Sequence, residues 1–341
     1  MARASSWSRQ RGRSCASRSA ASARRTSGKA SRAWPRSSRE DRPELASSIA
    51  IIGAGIAGLS AGCYARMNGY DVRLFEAHTR PGGLCTSWRR GDYVIDGCIQ
   101  WLVGTNPRGP FNRIWRELGA LNGRRVHDHT EFARLESQGR TLILHSDVNR
   151  LERHLLDLAP ADSGPIRELC DAIRLFTRFE PPLDKPLQMV GLFDGLGAGL
   201  KMLPFLGPLL TWSKLPIADF AKRFRDPLLR SAWPVLFPLP DFPTLGMITT
   251  LAWQHNRDAG VPIGGSLEFA RAIERRLLGL GGRVSYGAKV ERILVENGRA
   301  VGLRLADGTE HRADYVISAA DGHSTIFGML GGRYVSPEIR G

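Results

Sequence analysis

The clearest alternation of apolar and polar positions lies between Ile49 and Glu76. Ile49-Ala50-Ile51-Ile52 is an unbroken apolar run of the kind carried by a strand buried on both faces. Gly53-Ala54-Gly55-Ile56-Ala57-Gly58 follows directly, Leu59 to Asn68 reads as a helix, and Gly69 is placed to stop it. Val72-Arg73-Leu74-Phe75 is a second strand, ending at Glu76. The chain then leaves this rhythm for a Gly-Gly loop at Gly82-Gly83 and a short strand from Tyr93 to Asp96, closed by Gly97. Between 106 and 257 the strand–helix alternation is missing. Phe111 to Leu121 and Ile166 to Phe179 read as helices, and Leu187 to Trp212 is rich in Leu, Gly, Met and Phe but interrupted by Asp194, Lys201, Pro204 and Pro208. A helix from Leu267 to Leu278 leads into a strand beginning at Gly281-Gly282-Arg283-Val284. Val290 to Val295 and Ala300 to Leu305 flank Asn297-Gly298, a strong hairpin signal, and Asp307-Gly308 marks the next turn before a last strand within Ala313 to Ala320.

Strand, G-x-G-x-x-G, helix, strand and acid in that order define a dinucleotide-binding unit. Gly53 permits the tight turn, Gly55 lets backbone approach a pyrophosphate, and Gly58 lets the helix pack on the strand. Ala54, Ile56 and Ala57 complete the loop, whose helix start offers unpaired N–H groups and a positive dipole end to phosphate. Glu76 is suited to accept hydrogen bonds from a ribose and disfavours a 2′-phosphate. Gly58-Leu59-Ser60-Ala61-Gly62 also fits the G-x-S-x-G pattern of hydrolases. That motif needs its serine on the strand-to-helix turn, and here Ser60 falls inside the helix.

The net charge of +15 is unevenly placed. Residues 1–45 hold 12 Lys and Arg against 3 acids, +9 of the total, with no acid before Glu40 and no hydrophobic period. This tail is expected to be disordered. A transit peptide, a basic arm for nucleic acid or anionic lipid, and a non-native extension all fit its Ser-, Ala- and Arg-rich composition. No specific nucleic-acid partner is expected of the rest. No run of about 18 apolar residues is present for a spanning helix. The five cysteines form no C-x-x-C pair, which argues against a disulfide scaffold and a zinc site. His127 and His129 lack a convincingly spaced third ligand and read as solvated, so no metal is expected.

The motif set resembles a known family. Ile51-Ile52-Gly53-Ala54-Gly55-Ile56-Ala57-Gly58-Leu59-Ser60-Ala61, Glu76, Pro81-Gly82-Gly83 and Asp96-Gly97 are similar to the flavin-containing amine-oxidase superfamily. Gly82-Gly83-Leu84-Cys85-Thr86-Ser87-Trp88 and Asp96-Gly97-Cys98-Ile99-Gln100-Trp101 look like its branch of phytoene desaturases, carotenoid isomerases and retinol saturases. Val261-Pro262-Ile263-Gly264-Gly265-Ser266 is similar to the family's Pro-x-Gly-Gly segment, and Ala313 to Ala320 to its strand returning to the cofactor sheet.

The resemblance implies an α/β fold: a two-part Rossmann-like FAD-binding domain (46–105 and 258–341), an inserted, mainly helical substrate domain (106–257) and a β-meander. The cofactor would be FAD, held by Gly53 to Gly58, Glu76, Ala77, Arg80, Gly82, Gly83, Leu84 and, through its backbone, Val290. It implies hydride exchange with a long apolar polyene or isoprenoid in desaturation, isomerisation or saturation, and it designates no catalytic side chain. An amine-oxidase-like flavoenzyme and an inactive FAD-binding fragment are the alternatives. The family's pattern continues beyond Gly341, so a C-terminally truncated chain is expected. The segment from Leu187 to Trp212 suits either an interfacial segment dipping into lipid, as in peripheral membrane association, or a helix pair lining an apolar tunnel. Trp101, Phe242 and Trp253 are candidates for an apolar pocket.

Overall fold

The computed structural model describes residues 47–180, 192–239 and 241–340. The expectations for the basic tail and for residues 187–191 lie outside them. In chain order the elements begin with β1 (Ser48–Ile52), α1 (Ile56–Met67), β2 (Asp71–Phe75), β3 (Ser87–Arg90), β4 (Tyr93–Asp96), β5 (Leu102–Val103) and α2 (Pro110–Glu117). There follow β6 (Val126–His127), β7 (Glu131–Ser137), β8 (Arg140–His145), α3 (Val148–Leu158), α4 (Ser163–Phe176), α5 (Leu192–Ser213), α6 (Ile217–Ala221), α7 (Pro227–Leu236) and α8 (Thr244–His255). The last are β9 (Ala259–Pro262), α9 (Gly265–Gly279), β10 (Arg283–Ser285), β11 (Val290–Glu296), β12 (Arg299–Leu305), β13 (Glu310–Arg312) and β14 (Tyr315–Ser318).

A parallel sheet of order β10-β2-β1-β14 is the frame. β1 lies at its centre because its side chains are apolar on both faces. Ile49 and Ile51 join Leu59, Cys63, Leu74, Ile273 and Leu277 beneath α1 and α9. Ala50 and Ile52 join Phe75, Val290, Ile293 and Leu303 beneath the β11-β12-β13 meander. The expected return of the chain to this sheet is realised in β14, which pairs with β1 in register Ile51↔Ile317. Asn297 (φ +50°) and Gly298 (φ +76°) make the hairpin turn between β11 and β12, both residues left-handed as a tight two-residue turn requires.

A second core joins β7–β8 to α3–α8 around Leu144, Leu151, Ile173, Phe220, Trp233 and Ile248. The β7–β8 hairpin is absent from the sequence reading. The helix pair considered for the apolar stretch is instead a single helix, α5, which runs through both Pro204 and Pro208. Each proline removes an N–H and the bond it would make. Phe205 and Trp212, both buried in the helical core, hold the helix across those gaps. No helix among the described residues is long and apolar enough to cross a membrane.

Candidate dinucleotide site

The site forms where β1 and β2 end. Gly53 turns the chain at φ +96° and donates its N–H to Phe75 O at 2.8 Å, which locks the loop to the end of β2. α1 then starts against the strand. A Cβ on Gly58 would lie 2.0 Å from Gly53 O, so only glycine lets the first turn sit so close. Gly55 is the N-cap of α1, in extended backbone (φ −67°, ψ 174°), with no side-chain cap and no acid in the first turn. A Cβ built there meets nothing within 4 Å. The helix start therefore presents its unpaired N–H groups and dipole to an open space rather than to protein.

The Gly-Gly loop closes the other side. Gly82 (φ +113°) donates to Ala54 O at 2.8 Å and bridges Gly55 in parallel fashion. A Cβ on Gly83 would come 3.4 Å from the Gly55 Cα. Gly83 thus packs on the Gly55 backbone, and the space in front of the helix start is left free of side chains, as a phosphate cradle needs.

Glu76 closes the end of β2. It is 8% exposed; its Oε2 accepts from Ala54 N at 2.6 Å and its Oε1 from His78 N at 2.8 Å. The carboxylate is therefore oriented by backbone, and each oxygen keeps a further lone pair for a hydroxyl donor. The Glu76 carbonyl accepts from Ala288 N at 2.8 Å, which brings the approach to Val290 beside it. Val290 itself is buried against Ala50, Ile52 and Phe75. Of the expected site residues, Gly53, Ala54, Gly55, Ile56, Gly58, Glu76, Gly82 and Gly83 come together, with Ala57 exposed on the first turn of α1. Ala77, Arg80 and Leu84 lie on the surface, Leu84 91% exposed.

A polar knot beneath the cradle was not read from the sequence. Asp96 accepts from Ser266 N at 2.7 Å and from the Ser266 hydroxyl, and Ser266 Oγ accepts from Ile99 N at 2.8 Å. Cys85 donates its thiol to Ser266 O at 3.4 Å. Ser266 is wholly buried in the first turn of α9, so Asp96 caps that helix from 170 residues away. The knot ties the Gly82–Cys85 loop, the Asp96-Gly97 turn and the Gly264-Gly265-Ser266 segment together. All three are motif segments of the sequence, and two of them, Gly82-Gly83 and Gly264-Gly265, carry a glycine pair. Burial pushes the Cys85 thiol up to about 12, so it is a neutral packing group.

Other candidates take ordinary places. Ser60 lies within α1, as its position after the glycine turn requires. His127 and His129 are exposed, stacked edge to face at 4.7 Å, and no cluster of metal-ligating residues occurs among the described residues. Trp101 and Trp253 are half-buried and Phe242 is 46% exposed.

Residues 51–118 match the family described as NAD(P)-binding Rossmann-like domain. The chain carries a dinucleotide-type Rossmann domain. It is similar to prolycopene isomerase 2, chloroplastic, of an Oncidium hybrid cultivar (26% identity over 294 residues, 82% of this chain and 49% of the relative). It is also similar to the zeta-carotene-forming phytoene desaturase of Myxococcus xanthus (27% identity, 80% of this chain and 53% of the relative). The chain spans about half the length of these curated relatives. Putrescine oxidase has a similar fold, with a TM-score of 0.51 at 17% identity over 82% of this chain and 59% of that protein. The Rossmann domain thus sits in a chain whose relatives are carotenoid isomerases and desaturases and whose fold is shared with an amine oxidase.

Proposed function

We propose that the chain binds FAD and acts as an oxidoreductase on a long apolar polyene or isoprenoid. One observation carries the cofactor reading: a Cβ at Gly55 would meet nothing within 4 Å, so the N-terminus of α1 opens onto free space, with Gly83 packed on the Gly55 backbone and the Glu76 carboxylate held beside it. The loop from Gly53 to Gly58 would hold the pyrophosphate by backbone N–H groups, and Glu76 would hold the ribose. When bound, the flavin supplies the hydride acceptor or donor; the protein orients and shields it. No side chain is assigned a catalytic role.

The relatives named as prolycopene isomerase and phytoene desaturase support the polyene class. The helix α5 supports a lipid setting for it. Leu200, Leu203, Leu206 and Leu210 project from one side of α5, each roughly half or more exposed. A stripe at that spacing suits the boundary of a bilayer in which a polyene would dissolve. The chloroplastic names of the plant relatives support the transit-peptide reading of the basic tail, and with it an organellar location.

The test is turnover. The flavin-loaded full chain is incubated with cis-lycopene or phytoene in liposomes under reducing and oxidising conditions, and products are separated by chromatography. Isomerised, desaturated or saturated polyene supports the reading. Oxidation of amines with no change in any polyene would favour the amine-oxidase alternative, to which the putrescine oxidase fold points.

A further inference from the structure

A cleft of about 940 Å³ lies apart from the dinucleotide cradle. None of Gly53 to Gly58, Glu76, Gly82 or Gly83 lines it. It opens between α2, the segment from Leu121 to Asp128, and the C-terminal end of α8. Its size falls within the range of small-molecule sites.

Its chemistry is one-sided. Arg108, Arg116, Arg124 and Arg257 line it against a single acid, Asp128. Arg124 is built into the wall: it donates to the backbone carbonyls of Ala120, Ile263 and Glu268 at 2.9–3.1 Å. The guanidinium groups of Arg108, Arg116 and Arg257 have no ion pair among the described residues. The wall behind them is fixed by amides: Asn106 Nδ2 donates to Asn256 O at 2.8 Å, and Asn256 Nδ2 to Thr177 O at 2.7 Å. The nearby Asp258 carboxylate is occupied, accepting from Asn106 N at 2.8 Å.

Arg257 adds an independent observation. Four helices end in the same capping motif, with the residue after the C-cap donating three residues back and the next residue five back. In α1, α2 and α9 the left-handed position is Gly69 (φ +88°), Gly119 (φ +74°) and Gly281 (φ +82°). In α8 it is Arg257, at φ +53°, with Arg257 N donating to Gln254 O at 3.1 Å and Asp258 N to Trp253 O at 2.8 Å. Glycine adopts this conformation without penalty, whereas an L side chain is strained in it. The chain carries that strain where the side chain adds a cation to a cleft already rich in them. Strain at a site is a pointer to function.

We propose that this cleft is an oxyanion site for a phosphate-bearing ligand of the diphosphate class, bound by Arg108, Arg116 and Arg257. Guanidinium forks match phosphate oxygens and three of them suit a multiply charged group. The inference is independent of the FAD reading. The same chemistry is offered by a soluble diphosphate and by phospholipid headgroups, and the experiment separates them.

The full chain and the variants Arg257→Gly, Arg108→Ala and Arg116→Ala are titrated with inorganic pyrophosphate by calorimetry at fixed salt, with melting followed in parallel. The 12 Lys and Arg of residues 1–45 are present in all four proteins, so differences between them report the cleft. Each variant should bind about tenfold more weakly. Arg257→Gly should melt at an equal or higher temperature without ligand, because glycine relieves the left-handed strain, while losing pyrophosphate affinity. A purely structural arginine would not give those opposite signs. If pyrophosphate does not bind, but phosphatidylglycerol vesicles sediment the full chain and release the variants, the oxyanion belongs to a lipid headgroup. Pyrophosphate and vesicle binding unchanged across all three variants would overturn the proposal.

Discussion

Gly55→Val separates folding from cofactor binding at a single position. A Cβ at Gly55 meets no protein atom within 4 Å, and the backbone there is extended, which valine accepts readily. The folded state should therefore lose only the small N-cap difference between glycine and valine, about 1 kcal/mol or less, and a few degrees of melting temperature. The ligand loses far more. A phosphate drawn onto the first-turn N–H groups of α1 must lie against the Gly55 Cα, where the valine methyls would stand. Displacing it forfeits about two charge-assisted hydrogen bonds at roughly 1.5–3 kcal/mol each, so about 3–6 kcal/mol, or two to four orders of magnitude in affinity. Gly58→Ala is the contrast. Its Cβ would sit 2.0 Å from Gly53 O, so α1 must shift off the strand, and roughly 3–5 kcal/mol of stability should go with it. Flavin per protein from the absorbance spectrum, and melting followed by circular dichroism, read the two effects apart. Gly55→Val protein that keeps stoichiometric flavin would refute the placement of the pyrophosphate.

Three further outcomes follow from the structure. Asp96→Ala should leave Ser266 N and its hydroxyl unpaired in a wholly buried residue and cost about 1–3 kcal/mol in denaturant melts; no change would mean the knot is dispensable. Asp226 caps α7 and pairs with Arg140 at 3.0 Å; burial pushes its carboxyl up, but Arg140 and the Leu229 and Leu228 amides pull it further down, below its ordinary 3.8. A depressed carboxylate stabilises fully above its unfolded value and loses that contribution as pH falls through the folded one, so wild type should lose about 1 kcal/mol more than Asp226→Asn on acidification below about pH 4. In a Cys15→Ser background, Cys98 is exposed and should react with a thiol reagent at pH 8, while Cys63, Cys85 and Cys170, buried and pushed up to about 11, 12 and 12, should react only on unfolding. Rapid labelling of more than one thiol in the native protein would contradict that packing.

The β1–α1–β2 unit was legible because its constraints are local. A strand apolar on both faces, a turn that only glycine makes and a helix stopped by Gly69 leave few alternatives, and Asn297-Gly298 fixes its hairpin in the same way. Elsewhere the deciding contacts are distant in sequence. Glu76 reads as a ribose acceptor, but its bond to Ala54 N exists only once β2 lies beside β1. The Asp96–Ser266 cap joins residues that no local pattern relates. α5 defied the breaking power of Pro204 and Pro208 because Phe205 and Trp212 are packed into the helical core, and packing outweighs propensity. α2 ended four residues short of the apolar pattern because Gly119 turns the chain at φ +74°, leaving Leu121 outside the helix. The β7–β8 hairpin went unread because its turn, Gln138-Gly139, is not one of the strong hairpin pairs, although both residues are left-handed in the structure.

The proposed function requires that the cradle of Gly53–Gly58, Glu76 and Gly82–Gly83 hold FAD. The direct measurement is the visible spectrum of the purified full chain after incubation with FAD and desalting, followed by identification of whatever denaturation releases. A flavin spectrum in stoichiometric ratio to protein, and release of intact FAD, are expected. A folded, monodisperse protein that emerges colourless, with a cooperative melt unchanged by FAD, would contradict that function.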